Sequence, residues 1–384
     1  MVRSLAAALA ALSMTAPALA QPPVLPRAEA IDQAVRAAMA RTGARGFALA
    51  VIDEGQVRSV RTWGHRNAAG DPLRPDTIMY AASITKAVFA YTVMQMADEG
   101  LIDLDRSIAD YLPRPLPDYT GEEERYAPWH HLAGDERWRR LTPRILLSHR
   151  AGFANFFFLE PDGRLQFHFD PGTRYSYSGD GLILLQFVIE RGLGLDLGRE
   201  MQRRVFDRLG MPNSSMMWRA DFRRNLADGW RLDGSVEPHD ERSAPRAAGS
   251  LDTTITDLAR WAAAMMRGEG LSEASRAELV RSQMPVMGAS QFPVLAPDPP
   301  QQRWLGLGTG LAVMRFEGPQ GPGFFRGGHN DSTGNLLICL ERGRRCVLMM
   351  ANDVRAEAYF QEIATLILGE TGLPWGWLYP QLAR

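Results

Sequence analysis

The chain has 384 residues, 45% hydrophobic and 23% charged, with 43 Lys and Arg against 44 Asp and Glu and a formal net charge of −1. That composition excludes disordered, collagen-like and coiled-coil chains, and the lack of a basic surplus excludes an electrostatic footprint for nucleic acid or an anionic membrane. The cations are unevenly divided: Lys86 is the single lysine and all the rest are arginine, which cannot release its proton as a lysine can.

Residues 1–20, MVRSLAAALAALSMTAPALA, carry Arg3, an apolar run and Ala18-Leu19-Ala20 ahead of Gln21, the layout of a cleavable secretory signal with cleavage after Ala20. Ser13, Thr15 and Pro17 interrupt the run, which falls short of the roughly 20 residues a spanning helix needs. The expectation is a periplasmic or secreted protein with no membrane span in the mature chain. LPRAEAIDQAVRAAMARTG then predicts an amphipathic helix ending near Gly43, and FALAVIDEGQVRSVRTWGHRN predicts a hairpin turning at Asp53-Glu54-Gly55. Residues from Ala82 to about Asp98 form a helix apolar on nearly every face, hence a buried one, with Lys86 in its first turn.

Between about 100 and 245, short helical segments alternate with Pro-rich turns such as PRPLPD and an aromatic loop, FANFFFLEPDG. QFPVLAPDPPQQ at 291–302 is a Pro-rich surface loop. From about 304, WLGLGTGLAVMRF, NLLICLE and RCVLMMAND are consecutive strands, and EAYFQEIATLILGE is a closing helix. Strand signals at both ends and helices between them predict an α+β fold: an antiparallel sheet built from both termini and flanked by helices, with a mostly helical inserted subdomain. Cys339 and Cys346 face each other across a hairpin if Arg342-Gly343 turns tightly. A bridge is open to them in an oxidising compartment, but two buried thiols is the preferred reading, because a bridge also demands close Cβ geometry.

Ser83 and Lys86 stand three residues apart at the start of the buried helix, which puts both side chains on one face about one turn apart. A serine needs an adjacent base to attack an acyl carbon, and an amine buried at a positive helix end is pushed toward its neutral form. With DTIMYAASITK, the stretches LTPRILLSHRAGF, PGTRYSYSGDGLILLQ and AAGSLDTTITDLARWAAAM follow in order. In these the chain resembles the serine β-lactamase and penicillin-binding-protein-like hydrolases, in particular the branch of class C β-lactamases, D-alanyl-D-alanine carboxypeptidases and related esterases.

The resemblance implies a β-lactamase/transpeptidase-like fold over most of the mature chain: one serine-hydrolase domain over 21–384, with its α/β part at about 25–100 and 246–384 and the helical insertion at about 101–245. It makes Ser83 the acylated nucleophile and Lys86 its base. The family's Tyr-x-Asn pattern falls on Tyr177-Ser178-Gly179, so Tyr177 becomes the general acid/base, with Tyr175 as its rival. Gly179 replaces the asparagine whose amide holds substrate in relatives, and this tilts the expectation toward esters. The third motif, a cation, a small residue and a glycine on a strand along the cleft, falls on Arg326-Gly327-Gly328, with the His329 backbone amide in the oxyanion hole. A rival register starts at His329 and ends on Asp331, where a side chain would obstruct close backbone approach. In either register Arg326 and His329 are expected to line the cleft.

Other signals are weaker. Gly306-Leu307-Gly308-Thr309-Gly310 lies in a strand-like run with no following helix, so it is not a nucleotide loop. His130-His131 lack the partners of a zinc site, and His149 fits a structural turn as a packing residue. No Gly-x-Ser-x-Gly occurs. The expectation is therefore an exported serine hydrolase without metal or cofactor, acting on a small-molecule ester, amide or peptide. Esters come first, and D-alanyl peptidase or β-lactamase activity is the alternative. A non-catalytic module on the same fold, binding peptidoglycan or a partner, is the reading from another class.

Overall fold

A computed structural model describes residues 23–296 and 306–382, so the secretory signal expected at 1–20 and the 297–302 part of the Pro-rich loop lie outside the described residues. The first helix, α1 (Ala28–Thr42), stops at Gly43, whose φ of 72° is the left-handed conformation that glycine adopts without penalty. Strands β1 (Gly46–Asp53) and β2 (Gln56–Gly64) follow as a hairpin. Both of its turn residues have positive φ, 54° at Glu54 and 73° at Gly55, the two-residue turn whose twist matches that of paired strands.

Helix α2 (Thr85–Asp98) is buried without interruption from Thr85 to Met96, as its all-round apolarity predicts. The stretch expected to be helical is largely loops and short 3₁₀ turns; its long helix is α3 (Gly179–Gly192). After it come α4 (Ile255–Arg267), strands β3 (Met284–Pro285), β4 (Leu307–Thr309), β5 (Met314–Gly318), β6 (Gly321–His329), β7 (Gly334–Leu340) and β8 (Arg345–Ala351), and helix α5 (Phe360–Leu368).

The strands join in one antiparallel sheet of order β2-β1-β8-β7-β6-β5-β4-β3, so the N-terminal hairpin completes a sheet otherwise made by the C-terminal third. Side chains alternate between two cores, as the period of a strand requires. Ala48, Ala50, Leu348 and Met350 face the core containing α2 and α4, whereas Phe47, Leu49, Val347 and Met349 face the one under α1 and α5. Covered on both faces, the central strands are buried end to end.

Cys339 and Cys346 lie directly opposite in the β7–β8 register and form a disulfide, with Cα atoms 4.1 Å apart. The expectation of two free thiols is thereby corrected: the Arg342–Arg344 turn sets the pair in register, and directly opposed residues have the Cβ proximity that a bridge needs. No helix among the described residues is long and apolar enough to cross a membrane.

Candidate active site

Ser83 sits in a 3₁₀ turn, Ala82–Ile84, ahead of α2. Ala82 holds a φ of 48°, a left-handed conformation that costs a non-glycine residue about 1 kcal/mol or more and is kept only where the surroundings impose it. The turn leaves Ser83 half-exposed between buried Ala82 and Ile84. One turn on, Lys86 is 1% exposed; its Nζ lies 2.9 Å from Ser83 Oγ and also donates to the Ala248 carbonyl. Among the described residues it pairs with no carboxylate. Burial brings its pKa down to about 8; the Tyr177 phenol opposes that shift and the Arg326 cation reinforces it.

The Tyr177 hydroxyl lies 2.8 Å from Ser83 Oγ, and Arg326 Nη2 donates to it at 2.9 Å. Burial by itself would push the phenol up, but the charges of Arg326 and Lys86 and the hydrogen bonds outweigh it and bring Tyr177 to about 8. Tyr175, the rival, is turned away: its ring packs toward Trp377 in the other core. Of the two, Tyr177 is the one whose hydroxyl bonds Ser83.

Arg326 departs from its expected place. It is 2% exposed, behind Tyr177 and not along the cleft, with Nε donating to the Ser83 carbonyl at 3.0 Å and Nη1 3.3 Å from His149 Nε2. A guanidinium can only donate, so Arg326 points a donor at Nε2, while on the other side of the ring Nδ1 lies 3.1 Å from the Ser178 amide, which donates to it, and 3.2 Å from the Ser178 carbonyl. His149 is held neutral, its pKa well below the usual range, by burial first and then by Arg326 and Lys86. Its ring stacks on Tyr177 at 4.5 Å between centroids. A residue read as packing from the sequence therefore braces both Arg326 and Tyr177. The signal was present in LLSHRAGF, but nothing in that string shows which distant arginine the imidazole meets.

Gly328 lies against the turn that carries Ser83: a Cβ there would stand 2.4 Å from the Ala81 carbonyl oxygen and 3.1 Å from the Ser83 nitrogen. That close approach coincides with the end of the Arg326-Gly327-Gly328 register. Gly327 has room for a Cβ. The His329 side chain is 52% exposed, and its Nδ1 lies 2.9 Å from Oε1 of buried Glu357. Burial would lower the imidazole's pKa, but the Glu357 carboxylate beside it raises it overall.

The site thus brings together a hydroxyl, a buried amine and a phenol within hydrogen-bond reach, the constellation of an activated nucleophile. Among the described residues no group of three or more His, Cys, Asp or Glu side chains is placed to hold a metal ion.

The family model described as Beta-lactamase matches residues 31–370. The chain is 30% identical to a lovastatin esterase of Penicillium rubens over 183 residues, 41% of this chain and 44% of that one. It thus spans less than half the length of that relative. It is 24% identical to penicillin-binding protein 4 of Amycolatopsis lactamdurans over 351 residues, 85% of each chain. The octameric penicillin-binding protein homologue from Pyrococcus abyssi superposes with a TM-score of 0.71 at 20% identity, over 93% of this chain and 80% of that one, which is a likeness of fold.

Proposed function

The chain belongs to the beta-lactamase family of hydrolases, and from that premise we propose that it is a serine hydrolase that works through an acyl-enzyme at Ser83 and prefers esters. The observation that carries the reading is the pair of short contacts on Ser83 Oγ, 2.9 Å to the Lys86 amine and 2.8 Å to the Tyr177 hydroxyl. Lys86 in its neutral form takes the serine proton as Oγ attacks the carbonyl. The backbone amides of Ser83 and His329 receive the oxyanion, and Tyr177 returns the proton to the leaving group. Water then attacks the acyl-enzyme by the same relay in reverse. Arg326 stays out of contact with substrate; it holds Tyr177 toward its phenolate form and fixes the ring against Ser83.

Ester preference rests on Gly179, which offers no side-chain amide to a peptide-like acyl group, and on the likeness to an esterase. Turnover of p-nitrophenyl butyrate, nitrocefin and a D-alanyl-D-alanine peptide, compared in one assay with Ser83→Ala as the blank, tests it. The ester is expected to lead in kcat/KM by up to about 10²-fold, the size of preference that a site without a polar partner supplies against a substrate that carries the extra polar group. A lead for the lactam or the peptide would contradict the assignment. Export, with cleavage after Ala20, is part of the same proposal and is tested by the N-terminal residue of protein recovered outside the cytoplasm.

A further inference from the structure

Gly179 is more than a missing amide. Tyr177 points to Ser83, and Ser178 between them is extended, with φ −137° and ψ 118°. Positions 177 and 179 therefore present to the same side, the side of the cleft. The space a side chain at 179 would enter is already filled: a Cβ there would lie 2.3 Å from Phe156 Cε1 and 2.5 Å from Cζ.

The ring is held there by its loop. Asn155 accepts backbone hydrogen bonds from Gly179 at 2.8 Å and Asp180 at 3.0 Å, and its side-chain oxygen accepts from Gly179 at 3.0 Å. One residue beyond the ring, the Phe157 amide donates to Asp180 Oδ2 at 2.6 Å. Phe156 stacks on Phe158 at 5.1 Å, and Phe158 is 59% exposed. From the 288–296 loop Phe292, 43% exposed, packs edge-on against Tyr177 at 5.4 Å. Exposed aromatic surface is tolerated singly, but here the Phe156–Phe158 stack lies against Gly179 and Phe292 lies against Tyr177, whose hydroxyl bonds Ser83, and such a surface suits an apolar group.

We propose that Phe156, seated over Gly179, sets the substrate class: its ring is the apolar wall against which the hydrocarbon chain of an ester lies, in the place where the Tyr-x-Asn pattern would put an amide. This rests on the ester-hydrolase reading above. The hydrocarbon chain belongs to the acyl half or to the alcohol half of the ester, and experiment separates the two.

The test uses the full-length protein, with p-nitrophenyl acetate against p-nitrophenyl hexanoate for the acyl half and ethyl acetate against hexyl acetate for the alcohol half. In one of the two series the wild type is expected to favour the longer chain. Phe156→Ala lowers that long-to-short ratio of kcat/KM by about tenfold, the discrimination a few lost apolar contacts supply, while Phe156→Leu retains most of it. A ratio is insensitive to the fraction of folded enzyme, so loss of protein cannot imitate the effect. Labelling of Ser83 by a fluorophosphonate is measured alongside. If Ser83 is labelled and neither series responds to Phe156→Ala, the assignment of Phe156 fails and the hydrolase reading stands; if Ser83 is not labelled, both fall.

Discussion

At the scale of single residues, the proposed chemistry depends on one cation that can lose a proton beside one that cannot. Lys86 and Tyr177 titrate as a pair near pH 8, so kcat/KM for an ester should rise with pH through an apparent value near 8, as the base form accumulates. Arg326 depresses both groups. In Arg326→Gln both pKa values rise, and the pH–rate curve should move to higher pH, with about tenfold less activity at pH 7; a profile that stays in place would show that Arg326 does not tune the pair. Ser83 and Lys86 were legible in the sequence because their relation is local, three residues along one helix. The burial of Arg326 and its bond to His149 were not, since 177 positions separate those two residues and only the closed fold brings them together.

At the scale of elements, the position of Ser83, the proposed nucleophile, is set where β6 meets the turn before α2. Gly328→Ala would press a methyl onto the Ala81 backbone carbonyl at 2.4 Å, a group that cannot swing aside as a side chain can, so the turn carrying Ser83 must move. The expected result is about 10²-fold lower kcat with the far-ultraviolet spectrum retained, the usual effect of a shift near 1 Å at a reacting atom; undiminished kcat would separate that contact from catalysis. The pattern Arg-Gly-Gly showed that a glycine was wanted here, though not which backbone it had to admit. Phe156 was illegible for a related reason: FANFFFLE reads as an aromatic loop, and its meeting with Gly179 depends on the Asn155 and Asp180 hydrogen bonds that fold the loop onto α3.

At the scale of the whole molecule, the alternation of β1 and the apolar runs of β7 and β8 made the antiparallel sheet legible, because burial on both faces leaves few polar positions in those strands. The disulfide was left open by sequence because pairing depends on register, which the turn at Arg342–Arg344 fixes. It lies at the hairpin end of β7 and β8, opposite the end where Gly328 pairs with Asn335. Cys339→Ala/Cys346→Ala is therefore expected to lose about 2 kcal/mol of stability, the loop-closure value for so short a loop, with kcat/KM within about twofold of the wild type. A comparable fall in activity would mean that the bridge supports the site across the sheet. The central claim, that Ser83 is a nucleophile activated by the only lysine, is tested most directly by intact-protein mass spectrometry after exposure to a fluorophosphonate. The account predicts one adduct per chain, located on Ser83, and at least about 10³-fold slower labelling in folded Lys86→Arg, which keeps the charge and removes the base. Labelling of Lys86→Arg at the wild-type rate, or no adduct on Ser83 of the folded wild-type protein, would contradict it.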